Sequence, residues 1–119
     1  MSGFKPKWPE EFQGEEHRWY EWSFTVRAYI AASKIFASSV LRDAEKRDIE
    51  ITIADVDRGA RDRATREGTD PDAASQEMTE KNEQLYHLLA MLCRSSALTT
   101  VRHVPEGNGL EAWRQMSKK

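Results

Sequence analysis

The segment 104-VPEGNGLEAWRQM-116, close to the last residue of the 119-residue sequence, gives the clearest indication of the fold. Its proline and glycines end a preceding helical pattern, because both residue types interrupt helices. A new apolar pattern then begins at steps of three residues, with Leu110, Trp113 and Met116 on one helical face. The stretch therefore predicts a turn followed by a helix that packs into a core.

Working back from this turn, the apolar spacing predicts two more helices. A short one carries Ala97, Leu98, Val101 and Val104, with Ser95 or Ser96 as its N-cap. A long one begins at Pro71, a residue suited to the first turn of a helix. Its later turns carry Met78, Leu85, Leu88, Leu89 and Leu92. We expect this long helix to be the centre of the core.

Near the start of the sequence, residues 1–14 contain two prolines and two glycines before any helical period, which predicts an extended arm. Within this arm, Trp8 and Phe12 are able to fold back onto the domain. From Glu15 to about Phe36 the spacing predicts a helix with a broad buried face, made of Trp19, Trp22, Val26, Tyr29, Ile30 and Ser33.

The middle of the chain, residues 38–66, is densely charged and leaves two interpretations open. Ile49, Ile51 and Ile53 alternate as they would in a short strand. We favour two helices, from about Ser39 to Asp48 and from about Thr52 to Thr65, with a loop after them at Gly68 and Pro71.

Together these patterns predict an all-α domain over residues 15–119, a small bundle of about five or six helices with an extended N-terminal arm. One domain of this size can bury a single modest core. The predicted core is formed by Phe12, Trp19, Trp22, Val26, Ile30, Leu85, Leu89, Leu92, Leu98, Val101, Leu110 and Trp113.

Charge and cysteine content narrow the classes of partner. The 18 basic and 20 acidic residues give a formal net charge of −2, whereas a domain that grips a phosphate backbone usually carries a positive excess. The single cysteine, Cys93, lies in an apolar run and is expected in the core of a protein from a reducing compartment. We find no apolar signal segment or membrane-length run, so we expect a cytoplasmic protein without a membrane partner.

The sequence offers no pattern typical of a catalytic or metal site. The run that begins at Asp55, DVDRGARDRATR, superficially resembles a calcium-binding loop. Such a loop would need an oxygen ligand at Gly59, a turn glycine at Ala60 and a bidentate carboxylate at Arg66, and the run has none of them. It is typical of a charged helix face. The three histidines and Cys93 have no zinc-ligand spacing, and no serine sits in a nucleophile elbow. We therefore expect no enzymatic activity, no metal, no cofactor and no small-molecule substrate.

The aromatic residues admit a second interpretation, because rings also stack on the bases of single-stranded nucleic acids. Core packing is the better explanation for Trp19, Trp22 and Trp113, which fall on helical stripes near several glutamates. A nucleic-acid-binding module would instead use Trp8 and the terminal basic residues; its candidate contacts are Lys5, Lys7, Trp8, Arg114, Lys118 and Lys119.

Two stretches resemble a known family. The first, 9-PEEFQGEEHRWYEWSFTVRAYI-30, has a Phe-x-Gly followed by a helix with Trp-x-x-Trp. The second, 85-LYHLLAMLCRSSALTTVRHVPEGNGLEAWRQM-116, has a Leu-rich helix, a short helix, a turn and an Ala-Trp pair. In this order they are similar to the N-terminal capsid half of Gag polyproteins from copia-type long-terminal-repeat retrotransposons. The matching residues are Phe12, Gly14, Trp19, Trp22, Leu85, Leu89, Leu110, Ala112 and Trp113.

The resemblance implies a structural protein without catalytic residues, which self-associates into a virus-like particle around the element's RNA. Residues 38–75 match no feature of the family, and the chain has no zinc-knuckle motif, so RNA would be held by regions outside it. The resemblance also implies that the chain is part of a longer polyprotein. The alternatives are the nucleic-acid-binding module and a domesticated Gag-derived adaptor that binds a cellular protein.

Overall fold

The computed structural model describes residues 7–119, and this part of the chain forms six α-helices. After a 3₁₀ turn at Glu16–Arg18, the helices are α1 (Trp19–Ala32), α2 (Ser38–Glu45), α3 (Ile53–Glu67), α4 (Pro71–Leu92), α5 (Ser95–His103) and α6 (Gly109–Ser117). Within residues 7–119 the sole β-type pairing is one bridge between Phe12 and Cys93. The predicted all-α class is confirmed.

Helix α4 is the centre of the fold, since α3, α5 and α6 all pack against it. Its first turn is fixed as the sequence indicates: the Asp70 side chain accepts a hydrogen bond from the Asp72 backbone N–H at 3.0 Å, and Pro71 opens the helix. Its buried side chains recur at helical steps and include Leu85, Leu88, Leu89 and Leu92. Burial of this stripe is the main apolar contribution of α4 to stability.

The charged middle of the chain folds as the helical interpretation predicted. Thr52 and Asp55 form a capping box at the start of α3, each side chain bonding the other residue's backbone N–H at 3.0 Å. The helix ends at Glu67, and its C-cap is Gly68, whose φ of +73° suits glycine. The alternating isoleucines form no strand: Ile51 is buried and Ile49 is exposed in the loop before α3.

Several helix boundaries differ from the prediction, and the first is the start of α1, which lies at Trp19 after the 3₁₀ turn rather than at Glu15. Helix α1 ends at Ala32 rather than near Phe36, because Lys34 adopts a left-handed conformation with φ +59° and the next residues close a Schellman motif. Phe36 is then buried in the core. Helix α2 ends at Glu45 instead of Asp48, and the chain turns away to reach Ile51.

The start of α5 also differs, since its N-cap is Arg94 and no side chain caps it. Ser95, one of the two expected caps, has a φ of +54°. The hydroxyl of Ser96, the other, donates to the Gln13 backbone oxygen at 3.1 Å. The N-cap prediction was wrong because the Ser96 hydroxyl bonds the N-terminal arm instead of the α5 backbone. The spacing of residues within α5 does not indicate this contact.

Of the twelve residues expected in the core, ten are buried, while Trp19 and Leu98 are partly buried and pack against the others. Met116, predicted on the core-facing side of the last helix, is buried as well, and the core also takes in Phe36, Leu41, Ile51 and Ala112, which the prediction omitted. The molecule measures 44 × 43 × 21 Å along its principal axes, so its short dimension is roughly two packed helices thick. In so thin a body, a helix packed on one side leaves its other side to solvent.

Candidate interaction surface

The inner face of α1 is held by a cluster of four aromatic rings. Phe12 stacks on Trp22 with ring centroids 4.6 Å apart, and Trp113 of α6 lies 5.2 Å from Trp19 and 6.1 Å from Trp22. The indole N–H of Trp22 donates to the Glu10 backbone oxygen at 2.8 Å. Each tryptophan ring buries a large apolar area, and its preferred ring geometry and its N–H group fix how it packs. These rings are packed inside the domain and are not a platform for bases.

The N-terminal arm is fastened to the junction between α4 and α5. The Phe12 N–H donates to the Leu92 oxygen at 2.9 Å, and the Arg94 N–H donates to the Phe12 oxygen at 2.8 Å. Gly14 follows with a φ of +99°, and a Cβ at this position would overlap the Ser96 side chain. The Phe-x-Gly motif is therefore explained by packing: the ring fills the core and the glycine lets the chain pass α5.

The outer face of α1 consists of apolar residues that are exposed to solvent. Tyr20 is 85% exposed and Phe24 66% exposed, and Ala28 and Ala31 are exposed on the same side. The steps of four, four and three residues place the four side chains on one stripe of the helix. Single exposed apolar residues are common, but a stripe with two large rings is typical of an interaction surface. We call these four residues the outer face of α1.

A shallow cavity of about 220 Å³ lies beside this helix, between it and the arm. Trp8, half exposed at 51%, borders it and meets Tyr29 edge-on with centroids 5.6 Å apart. The other lining residues carry both charge signs and include Lys7, Glu10, Arg18 and Glu21. Such a mixed lining selects neither an anion nor a cation, so the cavity has no evident ligand chemistry.

The residues predicted to contact nucleic acid are not gathered into one patch. Lys5 lies outside the described residues, while Lys7 and Trp8 line the cavity beside α1. Arg114 donates two hydrogen bonds to Glu111, and the Lys118 ammonium donates to the Glu45 backbone oxygen at 2.7 Å. Lys119 borders a separate small cavity next to α5. Two of the five described candidates thus serve the fold itself.

A buried polar cluster at the start of α6 escaped the sequence analysis. The Glu111 carboxylate is fully buried and accepts hydrogen bonds from the Ile51 N–H at 2.8 Å, from Arg114 at 2.7 and 2.8 Å and from Gln115 at 2.7 Å. Asn108, also fully buried, donates to the Ile51 oxygen at 2.8 Å and contacts Asn82 of α4. The cluster therefore ties the loop before α3 to α4 and α6.

The charge state of this cluster follows from its contacts. Burial by itself would raise the pKa of the Glu111 carboxyl, but the hydrogen bonds from Arg114, Ile51 and Gln115 outweigh burial and hold the pKa below its ordinary value. The same carboxylate raises the pKa of Arg114. Because its donors and acceptors are used within the protein, the cluster is a structural element and not a proton-transfer site.

Reactive groups are few in the part of the chain that the structure describes. Burial raises the pKa of the Cys93 thiol to about 12, which keeps it protonated and unreactive at neutral pH. Among residues 7–119, no three histidine, cysteine or acidic side chains come close enough together to hold a metal ion. No helix in the same range has the length and apolar content needed to cross a bilayer. The outer face of α1 is the strongest candidate for an interaction with another molecule.

Comparison with known proteins gives no relative: no protein-family model, no curated protein and no solved structure matches this chain.

Proposed function

We infer that this chain is a Gag-like structural capsid domain, whose copies associate through helix faces to build a particle around the RNA of a retrotransposon. The observation that carries the proposal is the outer face of α1, where Tyr20 and Phe24 are exposed although the opposite side of the same helix is fully packed. Contact between exposed apolar rings and water is unfavourable, so burying them against another protein is favoured.

The packing of the family-like motifs supports the same proposal. The aromatic rings of the Phe-x-Gly of the arm and of the Trp-x-x-Trp of α1 pack with Trp113 of α6, which lies about ninety residues later in the sequence. A shared core of motif residues is what a common fold would require. The residues that carry the resemblance therefore pack against each other in the core.

Light scattering across protein concentration tests the proposal. We expect the mean mass to rise with concentration for the wild-type protein. Phe24→Ser should remain monomeric at concentrations where the wild type associates, because it removes one ring from the outer face of α1. Ile49→Ser is the matched control, since Ile49 is 70% exposed in the loop before α3 and lies on no helix face. A wild-type protein that stays monomeric at millimolar concentration contradicts the proposal.

The same material separates the alternatives. A nucleic-acid-binding module predicts binding to single-stranded RNA that weakens steeply as salt rises. The internal use of Arg114 and Lys118 leaves fewer cations for such binding. An adaptor for a cellular protein predicts a monomer whose Phe24→Ser variant loses that partner. Self-association that Phe24→Ser removes and Ile49→Ser retains favours the capsid interpretation.

A further inference from the structure

The outer face of α1 changes in size along the helix. Its N-terminal half carries the two rings, Tyr20 and Phe24, and its C-terminal half carries two methyl groups, Ala28 and Ala31. All four are exposed, so neither half is filled by the protein's own chain within residues 7–119. A surface that is convex at one end and flat at the other fits a partner with the reverse order.

We propose that α1 pairs in antiparallel orientation with α1 of a second copy of this chain, an inference that rests on the proposed capsid function. Antiparallel pairing sets Phe24 of each copy against Ala28 of the other and Tyr20 against Ala31. Parallel pairing would set ring against ring at one end and leave a gap between alanines at the other. An isologous two-fold contact of this kind uses one surface twice.

The charges at the two ends of α1 favour the same orientation. Glu16 and Glu21 lie at the N-terminal end, while Lys34 follows the C-terminal end. The two arginines of this segment are already paired: Arg18 lies 3.5 Å from both Glu10 and Glu15, and Arg27 lies 3.2 Å from Glu45. In an antiparallel pair the acidic end of each helix approaches the basic end of the other, and the two helix dipoles oppose each other. A parallel pair would bring like charges together.

The size of the face sets the expected strength. Helix α1 has 14 residues, and a helix of that length offers a footprint of roughly 250 Å². A stable two-protein interface buries about 800 Å² on each partner. We therefore expect a weak, concentration-dependent dimer, with a dissociation constant in the micromolar range or above. Contacts of this strength suit an assembly in which each copy makes several.

Disulfide cross-linking distinguishes the orientations, because the native Cys93 is buried and its pKa of about 12 leaves it unreactive. A disulfide needs Cα atoms within about 7 Å of each other. Tyr20 and Ala31 lie about 16 Å apart along α1, by the helical rise per residue. In the antiparallel pair, residue 20 of one copy is therefore close to residue 31 of the other and far from residue 20.

The experiment mixes tagged Tyr20→Cys with untagged Ala31→Cys under mild oxidation. We expect the mixed dimer to form several times faster than the dimer of either variant alone. The collisional baseline is the self-cross-linking of Ile49→Cys. Faster cross-linking of Tyr20→Cys with itself would show a parallel pair and overturn the proposal.

Light scattering on the wild-type protein identifies which inference has failed. If it associates but the mixed dimer forms no faster than the Ile49→Cys baseline, the α1 pairing is wrong and the proposed capsid function stands. If it is monomeric throughout, the capsid function fails and the α1 pairing with it. A second pair of variants tests whether the effect is specific to the outer face of α1. Phe24→Asp should abolish association, while Ile49→Asp should leave it unchanged.

Discussion

Helices α6 and α3 show how differently two parts of one small domain use their residues. Helix α6 has nine residues, of which six are buried, and these include a glutamate. Helix α3 has fifteen, of which only Ala60 and Ala64 are buried. The polar groups of α6 hold neighbouring elements together from inside, whereas those of α3 form ion pairs at the surface. How much a polar contact contributes to stability therefore depends more on whether it is buried than on the distance between its two atoms.

The ion pairs of α3 illustrate the surface case. Arg61 contacts Asp57 at 3.1 Å and Asp72 of α4 at 2.6 Å, and Asp57 also accepts a hydrogen bond from Ser75. The hydrogen bonds from Ser75 and Arg61 lower the pKa of Asp57. The side chains of Arg61, Asp57 and Asp72 are well exposed, and solvent screens their attraction. The contact between α3 and α4 depends mainly on close packing at Ala60 and Ala64 of α3.

The largest expected difference between the two regions comes from Trp113→Ala. This substitution empties the middle of the aromatic cluster, and we expect it to lower the free energy of unfolding by about 3–5 kcal/mol. Urea denaturation followed by circular dichroism measures the loss. Trp8→Ala is the matched control, because Trp8 is half exposed and its removal leaves little cavity. Equal losses for the two variants would contradict the assignment of α6 to the centre of the core.

The next effect concerns the buried carboxylate. We expect Glu111→Gln to cost about 2–3 kcal/mol at neutral pH, because its donors lose a charged acceptor. The folded pKa of Glu111 lies below its unfolded value, so its contribution to stability is present above about pH 4.5 and is lost as pH falls through the folded pKa.

Denaturation at a series of pH values tests the Glu111 prediction. The difference between wild type and Glu111→Gln should shrink as the pH falls from 6 to 3. A difference that stays constant over this range would show that the charge of Glu111 contributes nothing, and Glu50→Gln, a surface change, should show little difference at any pH.

One glycine in each helix gives effects of opposite sign. A Cβ at Gly109 would lie 2.5 Å from the Tyr86 backbone nitrogen, so we expect Gly109→Ala to destabilise by about 1–3 kcal/mol. A Cβ at Gly59 meets nothing within 4 Å, so Gly59→Ala should stabilise α3 by about 0.5–1 kcal/mol. Thermal unfolding measures both shifts. Two shifts of the same sign would remove the contrast between the helices.

The smallest effect is expected from Arg61→Ala. Since both partners of Arg61 are exposed, the variant should unfold close to the wild type, and the difference should decrease further as salt is added. Melting temperatures at low and high salt check this. A loss as large as that of Glu111→Gln would place Arg61 among the residues that hold the fold.

The same contrast explains what the sequence could predict. Leu110, Trp113 and Met116 follow a helical step, and their burial was predictable because apolar spacing reports directly on which face is inside. Thr52 and Asp55 mark the start of α3 by local chemistry alone. The outer face of α1 is visible in sequence as Tyr20 and Phe24, but whether such rings are covered depends on elements that spacing does not describe.

What escaped prediction depends on contacts between distant residues. Glu111 sits between Leu110 and Ala112 and is typical of an exposed position, yet it is buried because the Ile51 N–H, sixty residues away, needs an acceptor. Lys34 ends α1 in a conformation that usually belongs to glycine, so no letter marked the end. Tertiary contacts override local preference at both places.

The meeting of Trp113 with Trp19 and Trp22 also bears on the order of events during folding. These rings are more than ninety residues apart, so the core closes only after a long loop has formed. Helix hairpins such as α3–α4 can form early from near neighbours, whereas the aromatic cluster must wait. On the ribosome, Trp22 and Phe12 stay without their last neighbour until α6 has emerged, and until then these rings are apolar surface that is prone to aggregate.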